Sequence, residues 1–432
     1  MDPMVFGAIL LFLMLFLLLL GVPIAVSMIA VALGGIYFLQ GSDGLNAVSL
    51  QIWEAITPFI LTCVPLYLLL GTIFTNSGLA ETLYDGIYKW SSRLPGSLAI
   101  ATTLSCGIFA AISGSSVATA AIFSKVSVPS MLKKGYPTDI TSATVAAGGT
   151  LGILIPPSIP FILYGVIAEE SVGKLFIAGV IPGMMVMIIF ILYQVWTFHR
   201  NMEREESERF SFTDKLKSIK GIIPFASIML IIIGTIYGGV ATPTEAAAVS
   251  VVASLIMAML IYRTLNLKGM WVSVKEAVAS SAMILMIIIG AMLFGYLLTL
   301  ANIPQTITEN VMKLNMSKWL ILIAINILLV FLGMFLEVVS IIVITVPIIA
   351  PIIKSLGWDL IWFGVILVIN MEMALITPPV GLNLYVLKDA FPDLPFETIV
   401  KGVYPYIIFL AASLAILAIY PQMALWLPSR MM

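Results

Sequence analysis

Two stretches apolar enough to span a bilayer are interrupted in the same way, and few folds tolerate that interruption. One reads Gly148-Gly149-Thr150-Leu151-Gly152-Ile153-Leu154-Ile155-Pro156-Pro157-Ser158; the other reads Glu372-Met373-Ala374-Leu375-Ile376-Thr377-Pro378-Pro379-Val380-Gly381-Leu382-Asn383. Proline has no amide hydrogen and its ring clashes with the preceding turn, so two in succession stop a helix. In hydrocarbon the freed carbonyls are costly unless something satisfies them. Broken membrane helices therefore persist where loose backbone lines a cavity, and paired breaks in two halves point to a transporter's binding site. A pair of packing kinks is the plainer reading, but Pro-Pro is harder to accommodate than a single proline.

The 432 residues are 61% hydrophobic and 10% charged, against about 25% charged in a soluble domain. The chain is thus expected to be polytopic, with almost all of it in lipid. Phe6–Leu20 lacks a basic flank and a small-residue cleavage site and is read as a retained first span. Apolar runs place further spans near 22–40, 57–78, 175–198, 221–241, 244–263, 277–300 and 402–427. Segments 95–133, 137–168, 318–355 and 359–387 do not fit simple crossings. Cys63 and Cys106 have no metal-like spacing and read as free buried thiols. His199 beside Arg200 reads as a solvated residue at a span end. A net charge of −1 gives no sign of a nucleic-acid partner.

Lysine and arginine set the orientation. If the Arg200–Lys220 linker is cytoplasmic, and 95–133 and 318–355 each re-enter and return to one side, only Lys174, Lys313, Lys318, Lys354 and Arg430 of the 21 basic residues fall outside. Both termini then lie on the outer face. Single crossings at the two hairpins would instead put Lys133–Lys134 opposite the linker.

The halves repeat. Gly71–Asp85 aligns on Gly295–Glu309, Gly107–Phe109 on Gly333–Phe335, and Pro156-Pro157 on Pro378-Pro379, at offsets of 224, 226 and 222 residues. Three matches in order at nearly one offset indicate a duplicated unit. In the topology above the two copies run in opposite directions, the inverted arrangement that supports alternating access.

Ala111-Ile112-Ser113-Gly114-Ser115-Ser116-Val117-Ala118-Thr119-Ala120 clusters small hydroxyl residues at the middle of 95–133. Close helix packing by small residues is one reading. A hairpin tip is the other, with Gly114 allowing the reversal. Such a tip exposes carbonyls and then amides; hydroxyl and carbonyl oxygens suit a hard cation such as Na⁺, and helix N-termini hold an anion. The matching tip, Leu332–Ser340, carries Glu337. An ionisable group at membrane depth is a functional candidate, because burying one is expensive; a neutral Glu bonded to local backbone is the alternative. Glu372 is treated likewise.

Two pseudo-symmetric cation sites are expected. The first draws on Ser113, Ser116, Gly148 and Gly149; the second on Gly333, Glu337, Thr377, Pro378 and Gly381. An anionic substrate would lie between them against Ser113, Ser115, Ser116, Thr150, Pro157, Ser158, Pro379 and Asn383. No Lys or Arg belongs to this set, so bound Na⁺ and helix dipoles would have to balance a carboxylate. Ala241-Thr242-Pro243-Thr244-Glu245 reads as structural, a capped helix start.

Ile112–Ala120, Gly148–Pro160, Gly238–Ala248 and Thr377–Asn383 together resemble the large membrane subunit of TRAP (tripartite ATP-independent periplasmic) transporters, over essentially the whole chain. The resemblance implies an all-α, inverted-repeat, elevator-type transporter with two re-entrant hairpins and two broken helices. It implies inward, Na⁺-coupled movement of a carboxylate-bearing solute such as a C4-dicarboxylate or sialic acid, across a bacterial inner membrane with both termini periplasmic. A small four-helix membrane subunit and a soluble periplasmic binding protein are the implied partners. No fused small subunit precedes Met1, so the former is expected as a separate chain docked on an apolar scaffold surface. Segments 1–93 and 199–317 would form the scaffold; 94–198 and 318–432 would form the moving core.

A stand-alone Na⁺/dicarboxylate symporter of similar fold is the rival. An intramembrane enzyme would need an HExxH, a Gly-x-Gly-Asp or a Ser/His pair within the spans, and none is present. A channel would need a repeated pore ring.

Overall fold

The computed structural model describes residues 2–201, 208, 210–314 and 316–431. Arg204 and Arg209, two of the charges assigned inside, lie outside the described residues. The structure is helical, with no strand among the described residues. Its helices are α1 (Pro3–Leu19), α2 (Ile24–Ile56), α3 (Cys63–Asn76), α4 (Leu79–Ser91), α5 (Ser97–Ser113), α6 (Ser116–Lys133), α7 (Thr138–Thr150), α8 (Ile159–Ile167), α9 (Val172–Asn201), α10 (Phe212–Tyr237), α11 (Pro243–Leu255), α12 (Leu267–Leu300), α13 (Ile303–Lys313), α14 (Lys318–Gly333), α15 (Val338–Ser355), α16 (Leu360–Ile376), α17 (Leu382–Ala390), α18 (Phe396–Ile419) and the short α19 (Gln422–Leu425). Eight helical segments among the described residues are long and apolar enough to cross a membrane. At about 1.5 Å per residue, 20 residues span the hydrocarbon. The chain is a multi-pass membrane protein.

Polar residues define the helix ends. Asp2, Ser115, Ser211, Asn266, Ser317 and Asp359 each accept a hydrogen bond from a backbone amide in the first turn of the helix that follows. Thr242 and Glu245 form a reciprocal capping box at the start of α11, as the sequence suggested.

Segments 95–133 and 318–355 each fold back on themselves. α5 turns into α6 through Gly114 and Ser115, and Gly114 takes a left-handed φ of 61°. The open ends of this hairpin meet: the Leu98 amide donates to the Tyr136 hydroxyl at 3.2 Å. Lys134, just past α6, pairs with Glu208 of the central linker at 3.0 Å. The indole of Trp90 donates to the Lys215 carbonyl at 3.2 Å. The end of α4, both open ends of the first hairpin and the linker therefore share one face, as the charge pattern requires. The second hairpin closes likewise, with the Trp319 and Trp358 rings 5.7 Å apart. Its open end lies at the opposite face, because α7 starts beside Lys134 while α8 ends where Tyr164 donates to the Leu360 carbonyl at 2.6 Å.

Two details bear on the repeat. Gly78 (φ 68°) and Asn302 (φ 53°), 224 positions apart, both adopt the left-handed conformation ahead of the amphipathic helices α4 and α13. Both proline pairs are cis. The match of Gly107–Phe109 to Gly333–Phe335 is corrected. Gly107 lies inside α5, well before the tip, whereas Gly333 is the last residue of α14. The equivalent positions are the N-caps of the second arms, Ser115 and Glu337, at the same 222-residue offset as the proline pairs. Apolar sequence in a hairpin arm is too uniform to fix register by itself.

Candidate functional site

Both tips and both breaks converge. Between them lies a cavity of about 180 Å³, lined by Gly114, Ser115, Ser116 and Val117 of the first tip and by Glu337, Val338 and Val339 of the second. Ile153, Ile159 and Pro160 around one break, and Leu375 and Leu382 around the other, complete the core side. Leu68 of α3 and Ser280, Met283 and Ile284 of α12 close the remaining wall.

The first tip is held by its own hydroxyls. Ser115 caps α6 by accepting from the Ala118 amide at 3.3 Å. Ser113 and Thr119 hydroxyls lie 3.2 Å apart, and Thr119 donates to the Ser115 carbonyl at 2.8 Å. The break abuts this tip: a Cβ on Gly114 would stand 3.4 Å from the Pro157 carbonyl oxygen, and one on Gly152 3.3 Å from that of Ser115.

Asn383, at the start of α17, ties the halves together. Its amide donates to the Ser116 hydroxyl at 2.8 Å and to the Ala146 carbonyl at 3.0 Å. Asn383 is fully buried and Ser116 nearly so. Residues 267 positions apart are thus joined beside the cavity.

Several expected ligands have other duties in this state. Gly148 and Gly149 remain helical; their missing side chains let α7 approach Cys106 of α5 and Ala120 of α6, where added Cβ atoms would stand 3.1 and 3.0 Å from the facing Cβ atoms. Thr150 donates to the Ala147 carbonyl at 2.8 Å, and Ser158 to the Ile153 carbonyl. Gly333 lets α14 meet α16, since a Cβ there would lie 2.4 Å from that of Ala374. Thr377 donates to the Met373 carbonyl at 2.6 Å. Gly381 (φ 56°) starts α17 directly after Pro378, Pro379 and Val380. Pro379 is exposed. Glu337 is also exposed, points no capping bond at α15, and supplies the cavity's one charge among the described residues.

Among the described residues the lining is largely apolar, with the hydroxyls of Ser115, Ser116 and Ser280, the Glu337 carboxylate and no basic residue. No cluster of three or more His, Cys, Asp or Glu gathers among the described residues. Such a site offers hard oxygen donors. The wall from α3 and α12 was not anticipated; the signal available was the Ser280-Ser281 pair in the middle of a long apolar helix.

Comparison with known proteins agrees with this architecture. Residues 11–423 match the family described as the tripartite ATP-independent periplasmic transporter, DctM component. The chain is 39% identical over 391 residues to the C4-dicarboxylate TRAP transporter large permease protein DctM of Pseudomonas aeruginosa, covering 90% of this chain and 91% of that one. It is 32% identical over 414 residues to the sialic acid TRAP transporter large permease protein SiaM of Vibrio cholerae, covering 95% and 96%. Among solved structures, Neisseria gonorrhoeae MtrF shares the fold with a TM-score of 0.64 at 14% identity, covering 97% of this chain and 95% of that one. These relatives are transport proteins. The chain belongs to the large-permease (DctM) family of tripartite ATP-independent periplasmic transporters.

Proposed function

We propose that this chain moves a carboxylate-bearing solute of the C4-dicarboxylate or sialic acid type inward across the bacterial inner membrane, coupled to Na⁺. The cavity between the two hairpin tips carries this reading. Its charged residue is Glu337, and no Lys or Arg lines it among the described residues. A carboxylate solute about 5 Å from Glu337 meets a repulsion of about 3 kcal/mol at an effective dielectric constant of 20. Cations bound at the hairpin tips, with the N-termini of α6, α8, α15 and α17 aimed near the cavity, supply the missing positive charge. Na⁺ then precedes or accompanies the solute for an electrostatic reason.

The opposite-facing hairpins support a re-entrant, inverted-repeat topology with both termini periplasmic. They also support an elevator division, in which 94–198 and 318–432 move against a scaffold of 1–93 and 199–317. Ser113, Ser116, Gly148 and Gly149 are proposed for one cation, and Gly333, Glu337, Thr377, Pro378 and Gly381 for the other. Ser113, Ser115, Ser116, Thr150, Pro157, Ser158, Pro379 and Asn383 are proposed for the substrate. Since Thr150, Ser158 and Thr377 use their hydroxyls internally here, their contribution in this state is backbone. A separate small membrane subunit and a periplasmic binding protein complete the proposed assembly.

Uptake into proteoliposomes tests this. Purified chain with its small subunit and binding protein is expected to accumulate solute only under an inward Na⁺ gradient. Ser115→Leu and Thr377→Leu are expected to abolish that uptake; unchanged uptake by both variants would refute the site. Full uptake by this chain alone would point instead to a stand-alone symporter.

A further inference from the structure

Glu372 sits in α16, five residues before Thr377, and is fully buried. Neither carboxylate oxygen has a hydrogen-bond partner among the described residues. Helices α7, α8, α9, α14, α15, α17 and α18 all pack on α16, and residues 361–372 of that helix are buried without interruption.

Charged residues on those neighbours stand toward the helix ends. They are Asp139 on α7; Lys174, His199 and Arg200 on α9; Lys318 on α14; Lys354 on α15; Lys388 and Asp389 on α17; and Glu397 and Lys401 on α18. α8 carries none. Asp359, ahead of α16, is occupied by the Ile361 and Trp362 amides. The buried phenols are engaged too: Tyr164 with the Leu360 carbonyl, and Tyr406 with Thr144 and Gln194. Nothing titratable among the described residues bonds to Glu372.

A bare carboxylate without counter-charge in such a place is strongly disfavoured. An ionisable group kept at membrane depth has a use.

We propose that Glu372 is a proton-binding site of the transport core. It carries a proton in the state described, and this neutral form is the one that travels with the broken helix α16–α17. The proton site stands on burial alone; its part in transport rests on the Na⁺-coupled reading above. That site is distinct from the cavity, whose lining does not include Glu372.

Infrared difference spectroscopy of the purified wild type against Glu372→Gln tests the first part. A protonated-carboxyl band present in wild type, absent from Glu372→Gln and displaced in Glu372→Asp is expected. Its absence from wild type overturns the proposal. Should Glu372→Gln fail to elute as a folded species, the displaced band of Glu372→Asp carries this arm.

Uptake across a pH series at saturating Na⁺ tests the second part. Wild-type uptake is expected to fall toward alkaline pH, and that of Glu372→Gln to stay level. Parallel profiles overturn the transport role. So does a lower number of Na⁺ moved per solute in Glu372→Gln, which would make the group a Na⁺ ligand. A protein that shows the band but no Na⁺-dependent uptake would refute the transport reading and leave the proton site standing.

Discussion

The junction between Asn383 and Ser116 can be measured directly. Asn383 donates to the Ser116 hydroxyl at 2.8 Å and to the Ala146 carbonyl at 3.0 Å, with no access to water. Asn383→Leu keeps the volume and strands two buried groups, the Ser116 hydroxyl and the Ala146 carbonyl. At about 1–3 kcal/mol for each unsatisfied group, the loss is about 2–5 kcal/mol. Ser116→Ala removes both contacts between the Ser116 hydroxyl and the Asn383 side-chain amide but leaves Asn383 on Ala146, for about 1–2 kcal/mol. In the double variant only the Ala146 carbonyl is stranded, so the two losses should not sum. A coupling energy of about 1–2 kcal/mol is expected from this double-mutant cycle. Denaturant unfolding in detergent micelles, followed by tryptophan fluorescence, would read it. Additivity within about 0.5 kcal/mol would refute the direct link between halves.

Other perturbations follow from single contacts. Gly221→Ala puts a Cβ 2.2 Å from the Thr82 carbonyl oxygen, so α10 must shift off α4; a loss of about 1–3 kcal/mol is expected in the same unfolding assay. Glu337→Gln removes the cavity's charge, and the Na⁺ concentration for half-maximal uptake should rise by about tenfold, equal to about 1.4 kcal/mol of cation binding; an unchanged value would remove Glu337 from the cation site. Glu170, in the loop before α9, has its carboxyl pushed above the usual range by partial burial and by Asp359, against the pull of Lys174 and Lys354. The folded chain therefore binds more protons than the unfolded chain above the ordinary carboxyl value, and stability falls as pH rises through that window. Glu170→Gln should lessen that fall, measurable as the change in melting temperature across a pH series.

Much of the frame was legible in the residues. Proline pairs break helices wherever they occur, so α7–α8 and α16–α17 were readable as interrupted before any packing was known. Gly114 among serines marked a reversal, and the structure turns there. Lys133–Lys134 had to share a side with the linker, and the Lys134–Glu208 pair puts them together. The second tip was less legible. Its arm is nearly uniform in Leu, Val and Ile, so any register fits, and the alignment slipped from the N-cap pair Ser115 and Glu337 to the pair Gly107 and Gly333.

The candidate ligands divided in the same way. Ser115, Ser116, Asn383 and Glu337 stand at the cavity or its edge. Gly148, Gly149 and Gly333 are also sites of close helix approach; a glycine that frees a carbonyl and one that admits a neighbour look alike in sequence. Thr150, Ser158 and Thr377 bond to their own backbone, which a hydroxyl near a helix end does whenever the carbonyl is free. Leu68, Ser280 and Met283 entered the wall from distant helices with no local mark.

By itself the sequence determined the helical, membrane-spanning class and the positions of the two breaks, since these follow from hydropathy and proline chemistry acting within a few turns. Only the tertiary structure decided that the two tips meet, that Asn383 reaches Ser116 across the halves, and that Glu372 has no partner among the described residues. Those facts depend on which helix faces which, and in an apolar chain that is set by small differences in packing spread over hundreds of residues.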